Sequence, residues 1–297
     1  MSVESPSLSA RFSQLGPRIR TAAILILSFL VLDILIAFTC VGTWLGFGLG
    51  VGVVAIAAFE IARFSRTYEV IVRILYAGAV LSPVVVLALY LASQHQCETR
   101  LPAAASLLVA VKGGCLGFLL SMSVAFSRGH RDLDSVSMLM REIAVAIFLV
   151  GFGGSALIAL PLAPGGAWIL LWLVAVVSVN DSAAYFIGSR VGGPKLCPAV
   201  SPNKTVSGSV GGLLCGSVAG VILAALSGAE TNGEALRLAV VVVVAAQIGD
   251  LMKSYLKRLH GVKDSGSILP GHGGILDRID GVLAGAIVVY LWAVGSW

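Results

Sequence analysis

Runs of about twenty consecutive apolar residues recur along this chain, and a helix of that length spans the hydrocarbon core of a bilayer. Nine such runs can be drawn, at about 21–40, 43–62, 71–92, 101–126, 143–162, 167–189, 209–227, 236–256 and 275–296. The runs are continuous, not short and alternating, so a membrane β-barrel is disfavoured. Composition agrees: 58% of the 297 residues are hydrophobic and 12% charged. That is half the charge of a typical soluble domain, about 25%. A soluble enzyme, a disordered chain and a nucleic-acid reader are therefore excluded. The expected fold is all-α: a polytopic helical membrane protein of about nine transmembrane helices.

The few charges are ordered. If the N-terminus is cytoplasmic, all but three of the 20 Lys and Arg lie on the cytoplasmic side. The exceptions are Arg100 and Arg237 on the opposite side and Lys112 inside a span. Such a bias orients a membrane protein, and it accounts for the net charge of +5 without a nucleic-acid partner. Residues 1–20 read as a cytoplasmic tail, 21–140 as N-terminal transmembrane helices, and 141–297 as the region that carries the chemistry. The first apolar run is too long for a signal-peptide core of about 7–15 residues and is kept as a mature span. None of the five Cys is in C-x-x-C spacing, so they read as small buried hydrophobes, not a zinc site or a disulfide framework.

Small-residue runs suit close helix packing in lipid. They are Gly46-Phe-Gly48-Leu-Gly50-Val-Gly52, Gly113 with Gly117, and Gly208 with Gly211 and Gly212. Such faces permit a homodimer without demanding one. No repeat relates the two halves, which argues against an inverted-repeat transporter.

Ionisable residues inside a span are costly and face a partner or a cavity. Asp33 could pair with Lys112, and Glu60 reads as interfacial, near Arg63. Asp181 and Asp250 each stand close to the cytoplasmic end of a span, before a polar Gly-rich loop. The densest chemistry lies between Asp250 and Asp280. Asp277 and Asp280 are three apart, on one face of a first helical turn. Asp250, Ser254, Lys257 and Arg258 line one face of another helix. Carboxylates without His or Cys ligands suit a hard cation, Mg²⁺ above all. Neighbouring Lys and Arg suit phosphate. Pro270-Gly271-His272-Gly273-Gly274 cannot hold a regular helix and leaves backbone N–H groups at a helix start, suited to phosphate oxygens.

From Ser254 to Asp280 the pattern Ser254-x-x-Lys257-Arg258-x₄-Lys263-Asp264-x-Gly266-x₂-Leu269-Pro270-x-His272-Gly273-Gly274-x₂-Asp277-Arg278-x-Asp280 runs without a gap. It resembles the signature of the phosphatidate cytidylyltransferases, or CDP-diacylglycerol synthases. A second block agrees, from Asn180-Asp181 through Tyr185 and Gly188 to Ser201-Pro202-Asn203-Lys204-Thr205. It departs at Ser207 and Asn203, where the family often has an acidic residue and a Lys. The resemblance covers roughly residues 140–297.

The resemblance implies transfer of CMP from CTP to phosphatidic acid, giving CDP-diacylglycerol and pyrophosphate. It makes Asp250, Asp277 and Asp280 the metal ligands, for Mg²⁺ and a second cation such as K⁺. Ser201, Lys204, Thr205, Ser254, Gly273 and Gly274 would bind substrate. Lys257, Arg258, Lys263 and Arg278 would neutralise phosphates, with Asp264 and His272 as further site members. Phosphatidic acid keeps its tails in the bilayer while CTP comes from the cytosol. An integral protein of the cell inner membrane, its site facing the cytoplasm, is therefore expected. Alternatives are another CTP-dependent lipid enzyme, such as a polyprenol or phytol kinase or an archaeal-lipid cytidylyltransferase, or a cation transporter.

Overall fold

A computed structural model describes residues 27, 30, 31, 33, 34, 40–64, 70–93, 109–115, 117–119, 133–163, 165–228, 233–262, 265, 266 and 273–295. The expected first span at 21–40 lies largely outside these residues, and Lys263, Asp264 and His272 lie outside them entirely.

The described chain is almost wholly helical. Helices α1 (Cys40–Phe64) and α2 (Val70–Ser93) are followed by helical residues at 109–115 and 117–119. Then comes one long rod: α3 (Leu133–Ala146), a π-helical stretch (Ile147–Phe152), α4 (Gly153–Ala159) and a closing 3₁₀ turn (Leu160–Leu162). The last part holds α5 (Gly166–Val191), α6 (Val206–Leu226), α7 (Glu234–Leu259) and α8 (Leu276–Gly295). Among the described residues, five segments are long and apolar enough to cross a membrane: Trp44–Arg63, Ser137–Leu162, Gly166–Val191, Val206–Leu226 and Glu234–Leu259. The protein is thus an all-α membrane protein. The expected spans at 43–62, 71–92, 143–162, 167–189, 209–227, 236–256 and 275–296 fall on described helices, with ends moved as helix ends commonly are, whereas that at 101–126 lies mostly outside the described residues.

One small sheet was not foreseen. Strands β1 (Lys195–Cys197) and β2 (Ser201–Thr205) form an antiparallel hairpin between α5 and α6, pairing Lys195 with Thr205 and Cys197 with Ser201. Gly192 and Gly193 both take positive φ, 65° and 99°, so the chain can leave α5 and reverse within two residues. Thr205 then caps α6, its Oγ1 accepting from the Gly208 N–H at 3.1 Å. This short polar hairpin presents Lys204 beside α7.

Helix α6 shows how the bundle sits in lipid. Val206, Val210, Leu214, Val218, Ile222 and Leu226 form an outward row with exposures of 39–73%. Gly208, Gly212, Gly216 and Gly220 form the inward row, and a Cβ on Gly208 would lie 2.6 Å from the Ala184 carbonyl oxygen. Large apolar side chains outside and glycines inside are what a lipid solvent favours. Trp172 Nε1 donates to the Gly220 carbonyl at 2.8 Å across the same α5–α6 contact. The other small-residue runs divide. Gly113 and Gly117 pack on α2, where Ser82 Oγ donates to the Gly113 carbonyl at 2.7 Å. Gly50 lies against Ile158, whereas Gly48 and Gly52 face open space.

Two apolar cores meet on the last two helices. One joins α1, α2 and the α3–α4 rod to Leu256, Leu276 and Leu283; the other joins α5, α7 and α8 around Leu173, Val242 and Ala286. Gly249 marks the α7–α8 crossing, since a Cβ there would lie 2.6 Å from Ala284 Cβ and 2.8 Å from the Asp280 carbonyl oxygen. Gly249→Val is expected to part these helices and remove activity, through overpacking of about 1–3 kcal/mol or more. Loss of thermal stability in detergent, measured beside the wild type, checks this; unchanged melting would contradict it.

Candidate active site

The charged residues converge where α7 meets the first turn of α8. Lys253, one turn beyond Asp250, is 6% exposed. Its Nζ lies 2.8 Å from Asp250 Oδ1, 2.6 Å from Asp280 Oδ2 and 3.6 Å from Asp277 Oδ1. Lys257 Nζ donates to Asp277 Oδ1 at 2.9 Å. Lys204, from the hairpin, pairs with Asp250 Oδ2. Three carboxylates and three ammonium groups thus form one cluster, with Lys253 at its centre. Burial makes each partner costly to remove, because an unpaired buried charge is left behind.

The face of α7 that meets α8 is therefore Asp250, Lys253 and Lys257, at i, i+3 and i+7. Ser254 is half-buried on the same helix. Arg258 points elsewhere: its Nε donates to the Val200 carbonyl at 3.2 Å, tying α7 to the hairpin turn. Lys253 was visible in the sequence as a cation one turn from Asp250, yet only the fold shows that it is the common neighbour of all three Asp.

The start of α8 is held by carboxylates. Glu60, 2% exposed on α1, accepts from the N–H groups of Ile275 (3.0 Å) and Leu276 (2.9 Å) and from Ser265 Oγ (3.3 Å). Asp277 Oδ2 accepts from Ser265 N (2.9 Å), Ser265 Oγ (2.7 Å) and, more weakly, Gly274 N (3.3 Å). Glu60, near the end of its span beside Arg63, is not a solvated surface charge but a buried cap on α8. Of the stretch expected to offer N–H groups to phosphate oxygens, the Gly274 N–H lies on Asp277 Oδ2, and the next two N–H groups, of Ile275 and Leu276, are used by Glu60. The physics is unchanged, since a helix N-terminus attracts either kind of anion. Gly274 is tight: a Cβ there would lie 2.7 Å from Gly266 N. Gly273, at φ 80°, turns the chain into the helix.

On the α5–α6 side, Asn180 Nδ2 donates to Asp181 Oδ1 at 2.9 Å, and Gln247 Nε2 donates to Asn180 Oδ1 at 2.9 Å and to the Ser209 carbonyl at 3.0 Å. This amide chain links α5, α6 and α7, and Gln247 lies one turn before Asp250. Ser201 and Lys204 stand on β2 at the rim, Lys204 with 28% side-chain exposure. Thr205 is buried, its hydroxyl engaged in the α6 cap. Arg278 is exposed on the first turn of α8. The suggested Asp33–Lys112 pair does not form: Asp33 is buried and Lys112 exposed.

The pocket suits a hard cation. Its donors are carboxylate oxygens, and Asp280 Oδ2 is buried without a well-aligned hydrogen bond, its charge met by the Lys253 ammonium. Among the described residues, no three His, Cys, Asp or Glu side chains close around a point as a metal cage would. A divalent ion of the magnesium kind needs none, being bound through one or two carboxylates together with substrate phosphates.

Residues 18–294 match the model of the cytidylyltransferase family. The phosphatidate cytidylyltransferase of Brucella suis is 45% identical over 150 residues, 50% of this chain and 56% of that protein. That of Staphylococcus haemolyticus is 37% identical over 163 residues, 54% of this chain and 60% of that protein. That of Mycobacterium bovis is 29% identical over 267 residues, 82% of this chain and 85% of that protein. The chain spans little more than half the length of the first two relatives.

Proposed function

We propose, because the chain belongs to the cytidylyltransferase family, that it transfers CMP from CTP to phosphatidic acid, giving CDP-diacylglycerol and pyrophosphate. The observation that carries this reading is the cluster of Asp250, Asp277 and Asp280 with Lys204, Lys253 and Lys257, buried at Lys253 and Asp280 and open toward Lys204 and Asp250. A phosphate oxygen of the lipid attacks the α-phosphorus of CTP. The new O–P bond forms as the bond to the bridging oxygen of pyrophosphate breaks, and the electron pair leaves with pyrophosphate. The attacking oxygen is already anionic near neutral pH, so the chain supplies positioning and charge neutralisation, with no base required.

Lys204 and Lys257 lie at the edge of the cluster, with side-chain exposures of 28% and 16%. Each is held on a carboxylate and can exchange it for a phosphate oxygen when nucleotide enters. Ser201, Ser254, Arg258, Arg278, Gly273 and Gly274 are read as further substrate-binding or phosphate-neutralising groups, with Lys263, Asp264 and His272, which lie outside the described residues. The family's divalent cation, read here as Mg²⁺, would be held by one or two of the carboxylates Asp250, Asp277 and Asp280 together with substrate phosphates, whose charge it would neutralise as the bond to pyrophosphate breaks. The site is read as facing the cytoplasmic leaflet of the inner membrane, where CTP and the lipid headgroup meet.

The test is purified protein in vesicles containing phosphatidic acid, supplied with CTP and MgCl₂. Pyrophosphate and lipid-linked cytidine should appear in equal amounts, and neither in EDTA. Formation of CDP in place of pyrophosphate would favour a CTP-dependent lipid kinase instead.

A further inference from the structure

Lys253 stands apart from the other two lysines of the cluster. Lys204 and Lys257 are at the rim, whereas the Lys253 side chain is 7% exposed and lies within 2.8 Å of two carboxylates at once. Its stem rises from the last two turns of α7, one turn beyond the Gly249 crossing, where α8 packs close. When phosphates draw Lys204 and Lys257 away, Lys253 therefore stays. Its ion-pair partners are three carboxylate oxygens: Asp250 Oδ1, Asp280 Oδ2 and, further off, Asp277 Oδ1. That is the setting of a bound monovalent cation, and an ammonium resembles a potassium ion in size and charge. A centre of two metal ions, as the sequence resemblance implies, would have to seat its second ion where this group already lies.

We propose that the Lys253 ammonium is a built-in monovalent cation, so that this protein needs a divalent ion with its nucleotide but no potassium. Lys253 acts through the carboxylates and is thus a positioning residue. The inference rests on reading the pocket as the CTP site, but its test needs no turnover.

Binding of CTP in the presence of MgCl₂ is measured by calorimetry on purified protein, in KCl and in choline chloride at equal ionic strength. Thermal melting is recorded in the same buffers. The wild type should bind equally in both salts, within about twofold. Lys253→Met should lose about tenfold or more in choline chloride and regain most of it in KCl, with melting following the same order. Lys253→Arg, which keeps the charge, should remain indifferent to potassium. A wild type that itself gains tenfold from KCl would overturn the proposal, and that arm stands even if Lys253→Met does not fold. A folded Lys253→Met that KCl does not rescue would also overturn it. Failure of CMP transfer to phosphatidic acid with these binding results intact would instead count against the functional reading alone.

Discussion

Asp277→Asn is expected to lower CMP transfer by about a thousandfold while the protein still inserts in the membrane. The side chain keeps its shape but loses its charge. Oδ1 faces Lys257 at 2.9 Å and Lys253 at 3.6 Å, and Oδ2 accepts two bonds from Ser265 and a weaker one from Gly274. An amide can replace one acceptor and no more, so the ammonium groups would be left with one partner fewer in a buried site. Electrostatic preorganisation of this kind is commonly worth about 10²–10³ in rate for each group lost. Asp250→Asn and Asp280→Asn should behave alike. CMP transfer by each variant, measured against equal amounts of membrane-inserted protein, checks the expectation. Activity within a few-fold of wild type would remove that carboxylate from the reacting centre.

Glu60→Ala should damage both stability and activity, although Glu60 lies far from the motif in sequence. It would strand the buried N–H groups of Ile275 and Leu276, and each unsatisfied group costs about 1–3 kcal/mol. It would also remove the negative charge that favours a helix N-terminus, about 0.3–1 kcal/mol more. The first turn of α8 carries Asp277 and Asp280, so its loosening should lower CMP transfer by about tenfold or more. Glu60→Gln keeps one acceptor and should fall between Ala and wild type. Melting and transfer are measured on the same preparations; Glu60→Ala that matches wild type in both would show that α8 is held without it.

These two residues also mark how far the sequence could be read. The five spans long and apolar enough to cross a membrane among the described residues were legible because lipid demands long continuous apolar helices, and that constraint is local to each run. Asp250, Asp277, Asp280 and Lys257 were legible as candidates because polar groups at the end of an apolar span need a reason to be there, whereas Lys204 was named only through the family resemblance. Their convergence with Lys253 is a property of how α7 crosses α8 at Gly249, which no spacing along one helix encodes. Glu60 was misread for the same reason. Its partners are backbone groups over two hundred residues away, and nothing near it in sequence announces them. The β1–β2 hairpin was hidden because it is short and polar, and pairing there depends on two consecutive glycines taking positive φ. The amide chain of Asn180 and Gln247 was hidden too, since it forms only when the glycine row of α6 lets α5 approach.

The most direct test of cytidylyl transfer follows the fate of each phosphorus of CTP. Purified protein in phosphatidic acid vesicles is given CTP radiolabelled at either the α- or the γ-phosphorus, with MgCl₂. Label from the α-position should enter the chloroform-soluble lipid and label from the γ-position should remain in water as pyrophosphate. Lipid labelled only from the γ-position would contradict transfer of CMP.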